Sequence, residues 1–453
     1  MIAVVGASDS KGKVGSLVFN QLMASKRDLY PVNPKKDTIC GYRAFKDISD
    51  LPEDIDLAVT TISAAMTPGA VDAIIKKNIP FIIIVAGGFS EIGPEGKEIE
   101  DNIYKLCKGS GTRVLGPNSL GIFLPDENID SIFVEHGDKV LEKGGNVACI
   151  VQSGSVGIES IWYAASNGYG MRAFVGLGNK LDLTEIDFLD YFLKDEKTKC
   201  LAFYLESIDQ GRDFLEAAKK VSAKKPVVIL KAGRTQAGMS AVSSHTGKLA
   251  GDDKLVDDAF KQFGIQRAAD EEEYIDMSKT LSMLPPARGN RVAVVTPAGG
   301  YGVMATDYVE DKSAKAKLEM AKLSETTQTR IRNASFPFAS CSNPVDLTAT
   351  ADDAMFAESI DALIDDENVD IVISITFFAP PGMTKNLADL VAERVRKSPK
   401  PIIVFSTYGT YTDSVLKSFY DKGVVGFPSI LRAVKAARYL VERAQILEKM
   451  ERE

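Results

Sequence analysis

Ile2-Ala-Val-Val-Gly-Ala-Ser-Asp-Ser-Lys-Gly-Lys-Val-Gly15 decides how the rest of the chain reads. An apolar run ends at Val5, a loop with glycine at positions 6 and 12 follows, and an amphipathic segment runs from Val14 to Lys26. Strand, glycine loop and helix in that order begin a parallel βαβ unit, because a parallel neighbour needs a crossover long enough to hold a helix. Further strands are expected at Leu29–Val32, Leu57–Thr61, Phe81–Val85 and Arg113–Leu115, with helices over Pro68–Lys77 and Gly93–Lys108. The first third is therefore Rossmann-like. A β-strand at the first residues is not a signal peptide, and apolar stretches such as Ile79–Ala86 fall short of the roughly 18 residues a membrane helix needs.

The opening design returns twice. Gly145-Asn-Val-Ala-Cys-Ile-Val-Gln-Ser-Gly-Ser-Val-Gly157 and Gly289-Asn-Arg-Val-Ala-Val-Val-Thr-Pro-Ala-Gly-Gly-Tyr-Gly302 each give Gly-Asn, a buried strand, a small-residue loop and a helix start. Any two parallel α/β domains begin alike; two similar flavodoxin-like domains is the sharper reading. Strands at Val147–Val151, Arg172–Val175, Cys200–Leu205 and Pro226–Lys231 lead to an acidic helical stretch, Asp270–Leu284. Leu284-Pro-Pro-Ala-Arg-Gly-Asn290 then has the composition of a linker. The expected architecture is α/β: a Rossmann-like domain over 1–127, then two flavodoxin-like domains over 128–287 and 288–453. At roughly 150 residues per domain, 453 residues fit three.

Composition narrows the function classes. Fifty-four basic against 62 acidic residues give a net charge of −8, so no global field favours nucleic acid or an anionic membrane. Five scattered cysteines without a C-x-x-C pair, and only two histidines, argue against structural zinc and for a reducing cytoplasm.

Chemistry is expected at loops that follow strands. Gly6 and Gly12 let a ligand approach the backbone, Lys11 and Lys13 add charge, and the following helix start favours a phosphate, although a generic turn reads the same way. The common NAD mode needs an acidic residue at the end of the second strand, whereas Tyr30-Pro-Val-Asn-Pro-Lys-Lys36 ends basic. A 3′-phosphorylated nucleotide such as coenzyme A suits Lys35 and Lys36 better, and a dinucleotide-dependent oxidoreductase is disfavoured. The loops Gln152–Gly157 and Thr296–Gly302 lack a P-loop lysine; each reads as a phosphoryl site or a tight turn. Ser243-Ser-His-Thr-Gly247 places His245 in what reads as an exposed loop, where imidazole can attack phosphorus or simply be solvated. His136 reads as solvated. Glu206, ending Tyr204-Leu-Glu206, is placed to orient an imidazole or to serve as a surface carboxylate. In Asn343-Pro-Val-Asp-Leu347, Asp346 reads as a turn or capping residue.

Together these segments resemble the α subunit of the NDP-forming acyl-CoA synthetases, the acetate–CoA ligase (ADP-forming) group of the succinyl-CoA synthetase superfamily. Essentially the whole chain carries the likeness, through Val5-Gly-Ala-Ser8, Tyr30–Pro34, Ala86-Gly-Gly-Phe-Ser-Glu-Ile-Gly93, Val114-Leu-Gly-Pro-Asn-Ser-Leu-Gly121, Gln152-Ser-Gly154, Leu177-Gly-Asn-Lys180, Tyr204-Leu-Glu206, Leu230-Lys-Ala-Gly-Arg234, Ser243–Gly247 and Asn343–Leu347. Ser119 stands where many relatives have cysteine.

The resemblance implies a CoA site over Gly6, Ala7, Ser8, Lys11, Val14, Asn33, Lys35, Ile62, Ser63, Gly87 and Gly88. It implies that His245 is phosphorylated and oriented by Glu206. The helices after Ser153-Gly154-Ser155 and Ala298-Gly299-Gly300 would hold phosphate, two N-termini sharing one phosphoryl group. The implied reaction is acyl-CoA + phosphate + ADP ⇌ acid + CoA + ATP, through acyl phosphate and phosphohistidine. Magnesium would accompany the nucleotide; no metal site is assigned to the chain itself. The roughly 165 residues after Leu284 are too few for an ATP-grasp domain beside a third α/β domain, so the nucleotide would bind an ATP-grasp β subunit, in an α2β2 heterotetramer. The segment Thr235–Gly251 would move to carry the phosphoryl group between sites. A non-catalytic CoA or acyl-CoA sensor is the alternative; it has no need of His245 with Glu206.

Overall fold

The computed structural model describes residues 1–134, 144–246, 252–378, 380–406 and 410–452. The chain forms two compact units, one of residues 1–163 with 170–274, the other of 164–169 with 275–453. Among the described residues the first unit contains two large sheets and a two-stranded ribbon, Thr38–Ile39 with Tyr42–Arg43. Five parallel strands lie in the order Leu29–Val32, Ile2–Val5, Leu57–Thr60, Phe81–Ile84, Arg113–Leu115. Successive strand residues face opposite sides, and both sides are covered. Val4, Val59 and Ile83 pack with Val18, Phe19 and Leu22 of the helix Val14–Met23. Ala3, Ala58 and Ile82 pack with Val71 and Ile74 of the helix Thr67–Lys76 and with Ile103. Burial on both faces is why these strands are short unbroken apolar runs.

The second sheet runs Gln266–Ala268, Val227–Lys231, Cys200–Leu205, Val147–Val151 and Met171–Gly176, all parallel. Ile122–Leu124 then joins antiparallel to the Met171–Gly176 strand, and Ile129–Asp130 pairs with Ile122–Leu124. The expected boundary at 127 falls inside this hairpin. Its strands of three and two residues, separated by Pro125 and Asn128, are too short to show a period in sequence.

In the second unit the parallel sheet runs Glu319–Met320, Arg291–Thr296, Ile371–Thr376, Ile402–Ser406, Gly426–Phe427, and Val345–Asp346 also pairs with Val295–Thr296. Lys279, on the helix Glu271–Met283, is fully buried: it donates to the Gly426 carbonyl at 2.8 Å and lies 4.1 Å from the Phe427 ring centroid. Arg432 grips Asp276 with two hydrogen bonds beside it. The fold is thus α/β, its three large sheets parallel except for the antiparallel hairpin Ile122–Asp130 at one edge of the second. Among the described residues no helix is long and apolar enough to cross a membrane.

Candidate functional site

In the first sheet the strand order reverses between Ile2–Val5 and Leu57–Thr60, so a crevice opens past their carboxyl ends. Gly6 (φ +90°) turns the chain there. A Cβ on it would meet Ile62 Cγ2 at 2.8 Å and Thr61 Oγ1 at 2.9 Å, so only glycine lets the two loops approach. Ala7 and Ser8 are buried, and Asn33 Nδ2 donates to the Ala7 carbonyl at 2.9 Å, tying the end of the second strand to the glycine loop. Lys11, Lys13 and Lys35 are exposed; Lys36 is paired with Asp9. The helix beginning at Val14 has no side-chain cap and no acidic residue in its first turn, leaving its dipole unanswered from within. Ser63 precedes the short turn Ala64–Met66 on the far side of the crevice.

Gly87 and Gly88 (φ +101°) follow the neighbouring strand. Glu91 Oε1 accepts from the backbone of Gly88 (2.6 Å) and Phe89 (3.1 Å). Asn179 Nδ2 reaches across from the second sheet to Glu91 Oε2 (2.7 Å), Glu100 Oε2 (3.0 Å) and Ser90 Oγ (3.2 Å). Burial opposes charge on Glu91, but Asn179 and the two backbone N–H groups overcome it and hold the carboxyl below the usual range. Ser119 is buried and saturated: its hydroxyl donates to the Gly176 carbonyl at 2.5 Å and accepts from Gly121 N at 3.0 Å.

In the second sheet Gln152 and Glu206 end adjacent strands. Gln152 Oε1 accepts from the backbone N–H of Glu206 (2.9 Å) and Ser207 (3.1 Å). Glu206 is buried, and the Tyr204 hydroxyl lies 3.4 Å from its Oε1; burial and the Glu206 charge push that phenol up to about 12. Ser153 and Ser155 hydroxyls meet at 3.1 Å where the helix Gly154–Ser166 opens.

The segment bearing His245 is not a loop up to Thr246. Its backbone continues the helix Gln236–Thr246, started by the Thr235 hydroxyl accepting from Gly238 N and anchored by buried Val242. That helix packs against the turn Ser90–Ile92, just past Gly87 and Gly88. Residues 247–251, and His136, lie outside the described residues.

The second unit carries its own glycine loop. Thr296 Oγ1 accepts from Ala298 N and donates to the Ala298 carbonyl, and Ala298 caps the helix Gly299–Val309 with no side-chain bond. The Asn343 amide is spent on Val292, Val294 and Ala321 backbone groups. Asp346 Oδ1 accepts from Thr348 N, as its turn reading expects, while its other oxygen lies only 2.4 Å from where a Cβ on Gly299 would sit.

The first unit thus contains the residues expected to bind CoA, Gln152-Ser-Gly154, Glu206 and the His245 helix; Ala298, Gly299 and Gly300 belong to the other unit. Sequence reasoning gave no role to Gln152, Asn179, Lys180 and Lys231, though all four lie in its motifs. Lys180 and Lys231 are buried: Lys180 contacts Glu185 at 3.2 Å and donates to the Ser207 carbonyl, and Lys231 donates to that of Glu206. Among the described residues no cluster of three or more His, Cys, Asp or Glu is arranged to hold a metal ion.

Three family models match in order: a CoA-binding domain over residues 1–125, a succinyl-CoA ligase-like flavodoxin domain over 144–281 and a ligase-CoA domain over 292–447. The acetate–CoA ligase (ADP-forming) I subunit alpha of Pyrococcus furiosus is 34% identical over 448 residues, 96% of this chain and 94% of that one. The corresponding II subunit alpha is 34% identical over 452 residues, 98% and 96% of the two chains. The solved dinucleotide-forming acetyl-coenzyme A synthetase 1 of Ca. Korarchaeum cryptofilum, in complex with phosphate and ADP, superposes with a TM-score of 0.91 at 32% identity, covering 100% of this chain and 96% of that one.

Proposed function

The chain belongs to the family of ADP-forming acetate–CoA ligase α subunits, and from that premise we propose that it interconverts acyl-CoA, phosphate and ADP with a carboxylic acid, CoA and ATP. CoA occupies the crevice beyond Val5 and Thr60, its phosphates near Gly6, Ala7, Ser8, Lys11, Val14, Asn33, Lys35, Ile62 and Ser63 and its thiol end near Gly87 and Gly88. A phosphate oxygen attacks the thioester carbonyl and CoA leaves as thiolate. One imidazole nitrogen of His245 then attacks the phosphorus of the acyl phosphate, releasing the carboxylate, while Glu206 accepts a hydrogen bond from the other nitrogen. The helix start at Ser153-Gly154-Ser155 holds the phosphoryl group, the start at Ala298-Gly299-Gly300 gives the other unit a phosphate site of its own, and the phosphohistidine passes its phosphoryl group to ADP.

The observation that carries this reading is the packing of the His245 helix on the Ser90–Ile92 turn beside Gly87 and Gly88, in the same unit as Glu206. ADP with its magnesium binds an ATP-grasp β subunit, and the assembly is an α2β2 heterotetramer. The test mixes the chain with that partner, γ-labelled ATP and magnesium. An acid-labile, base-stable phosphoryl group should form and disappear in His245→Ala with CoA binding retained; an unlabelled wild type, or equal labelling of the variant, overturns the proposal.

A further inference from the structure

We propose that Gln152, Lys180 and Lys231 are positioning residues that aim the Glu206 carboxylate by holding both peptide groups at the end of its strand. This rests on the role given to Glu206 above. The parallel ladder stops at Leu205, paired with Lys231, so the peptide groups of Glu206 and Ser207 lie past the sheet and have no strand to bond. Side chains replace it. Gln152 Oε1 takes both N–H groups at 2.9 and 3.1 Å, Lys231 Nζ takes the Glu206 carbonyl at 2.8 Å, and Lys180 Nζ takes the Ser207 carbonyl at 2.8 Å. Gln152 Nε2 lies 3.3 Å from the Ser207 hydroxyl. All four backbone polar atoms of this dipeptide are thereby fixed, and with them the Cα from which the carboxylate projects.

Two ammonium groups are a costly means of satisfying two carbonyls that water would satisfy at a surface. Burial pulls Lys231 down to about 8, with Arg267 adding to the effect. Lys180, its side chain fully inaccessible, is compensated by Glu185 and by Asp209 at 3.7 Å. What the arrangement secures is geometry. Gln152 belongs to the loop that opens the Gly154–Ser166 helix, so one amide fixes Glu206 relative to that anion-favouring helix start. Lys180 follows Asn179, whose amide holds Glu91 and Glu100 beside Gly88. Carboxylate, helix start and Gly87-Gly88 loop therefore share one hydrogen-bonded frame, the kind of second layer that keeps a reacting group within a fraction of an ångström.

The test compares Gln152→Met, Lys231→Met and Lys231→Arg with wild type, each reconstituted with the β partner, measuring histidine labelling, kcat, KM for CoA and thermal unfolding. Both Met variants should lose about 100-fold in labelling rate and kcat with KM for CoA unchanged, and Lys231→Arg, which keeps donors for the carbonyls, should regain at least about tenfold of that loss. Should Gln152→Met fail to fold, Lys231→Met interrogates the same dipeptide from the adjacent strand. A labelled wild type with both Met variants at wild-type kcat overturns this inference alone. So does a parallel decline of kcat, CoA affinity and melting temperature, the signature of a merely structural role. An unlabelled wild type overturns the premise with it.

Discussion

After Val151 the side chain that leaves the strand is an amide, and Gln152 reaches sideways to the next strand's Glu206 and Ser207. After Val295 it is a hydroxyl, and Thr296 turns back on its own loop at Ala298. Both loops open helices with no acidic residue in the first turn, so the bare backbone offers the same positive end twice. Their neighbours differ in charge balance. Lys180 and Lys231 stand with the Glu206 carboxylate beside the first; the Asp346 carboxylate leans over Gly299 in the second. A strand–loop–helix unit supplies N–H groups and a dipole, but the ends of the neighbouring strands decide how much negative charge is already there.

The sharpest contrast between the two units is in their helix glycines. A Cβ on Gly157 would lie 2.6 Å from the Phe174 ring and 2.8 Å from Val151, deep against the sheet, whereas on Gly302 its nearest neighbour is Thr296 at 3.2 Å. Gly157→Ala should cost about 3 kcal/mol in denaturant unfolding. Gly302→Ala should stay within about 1 kcal/mol of wild type, because the gain in helix propensity offsets a small adjustment; equal losses would break the contrast. Next come the helix starts. Gly154→Ala meets only Leu120, at 3.8 Å, and should be neutral. Gly299→Ala displaces the Asp346 carboxylate and should lose about 1.5 kcal/mol, most of it absent in an Asp346→Ala background if the two residues are coupled.

Buried lysines give the third contrast. Burial holds Lys279 near 7 and Lys231 near 8, below the roughly 10.4 of an unfolded lysine. The unfolded chain thus binds more protons, and stability rises with pH through this window. The buried thiols Cys107 and Cys149, pushed up to about 11, act oppositely once unfolded cysteine ionises near 8.5. From pH 7 to 8.5 Lys279 should contribute a rise of about 1.5 kcal/mol to the second unit, and Lys279→Met should flatten it. Lys231 contributes less, and mostly in the upper part of that range, so an unchanged slope in Lys279→Met would remove the distinction. The smallest effect is Asp346→Asn, which should lower the apparent KM for phosphate about threefold, the scale of one partly screened charge; a raised KM would mean that the carboxylate assists the anion.

The sheets were legible because strands buried on both faces leave unbroken apolar runs, as at Val147–Val151 and Cys200–Leu205. The hairpin Ile122–Asp130 was not, since its pairing partner, Met171–Gly176, lies some 50 residues away. Ser243–Thr246 read as a loop from its small polar residues, yet tertiary anchoring at Val242 lets the helix run through them. The place of Glu206 just past a strand end was legible. Gln152, Lys180 and Lys231 were not, because their work is done on backbone atoms, whose positions no side-chain pattern encodes.

The hairpin also has a bearing on how the chain can be cut. By pairing with Met171–Gly176 it covers that strand's outer hydrogen-bonding side. A fragment beginning after Asp130 would expose that side as a bare sheet edge, the usual template for strand addition by another copy. A dissection that keeps residues 117–134 with the second sheet leaves the first sheet its five strands and gives the second a protected margin, so the soluble piece begins upstream of the hairpin.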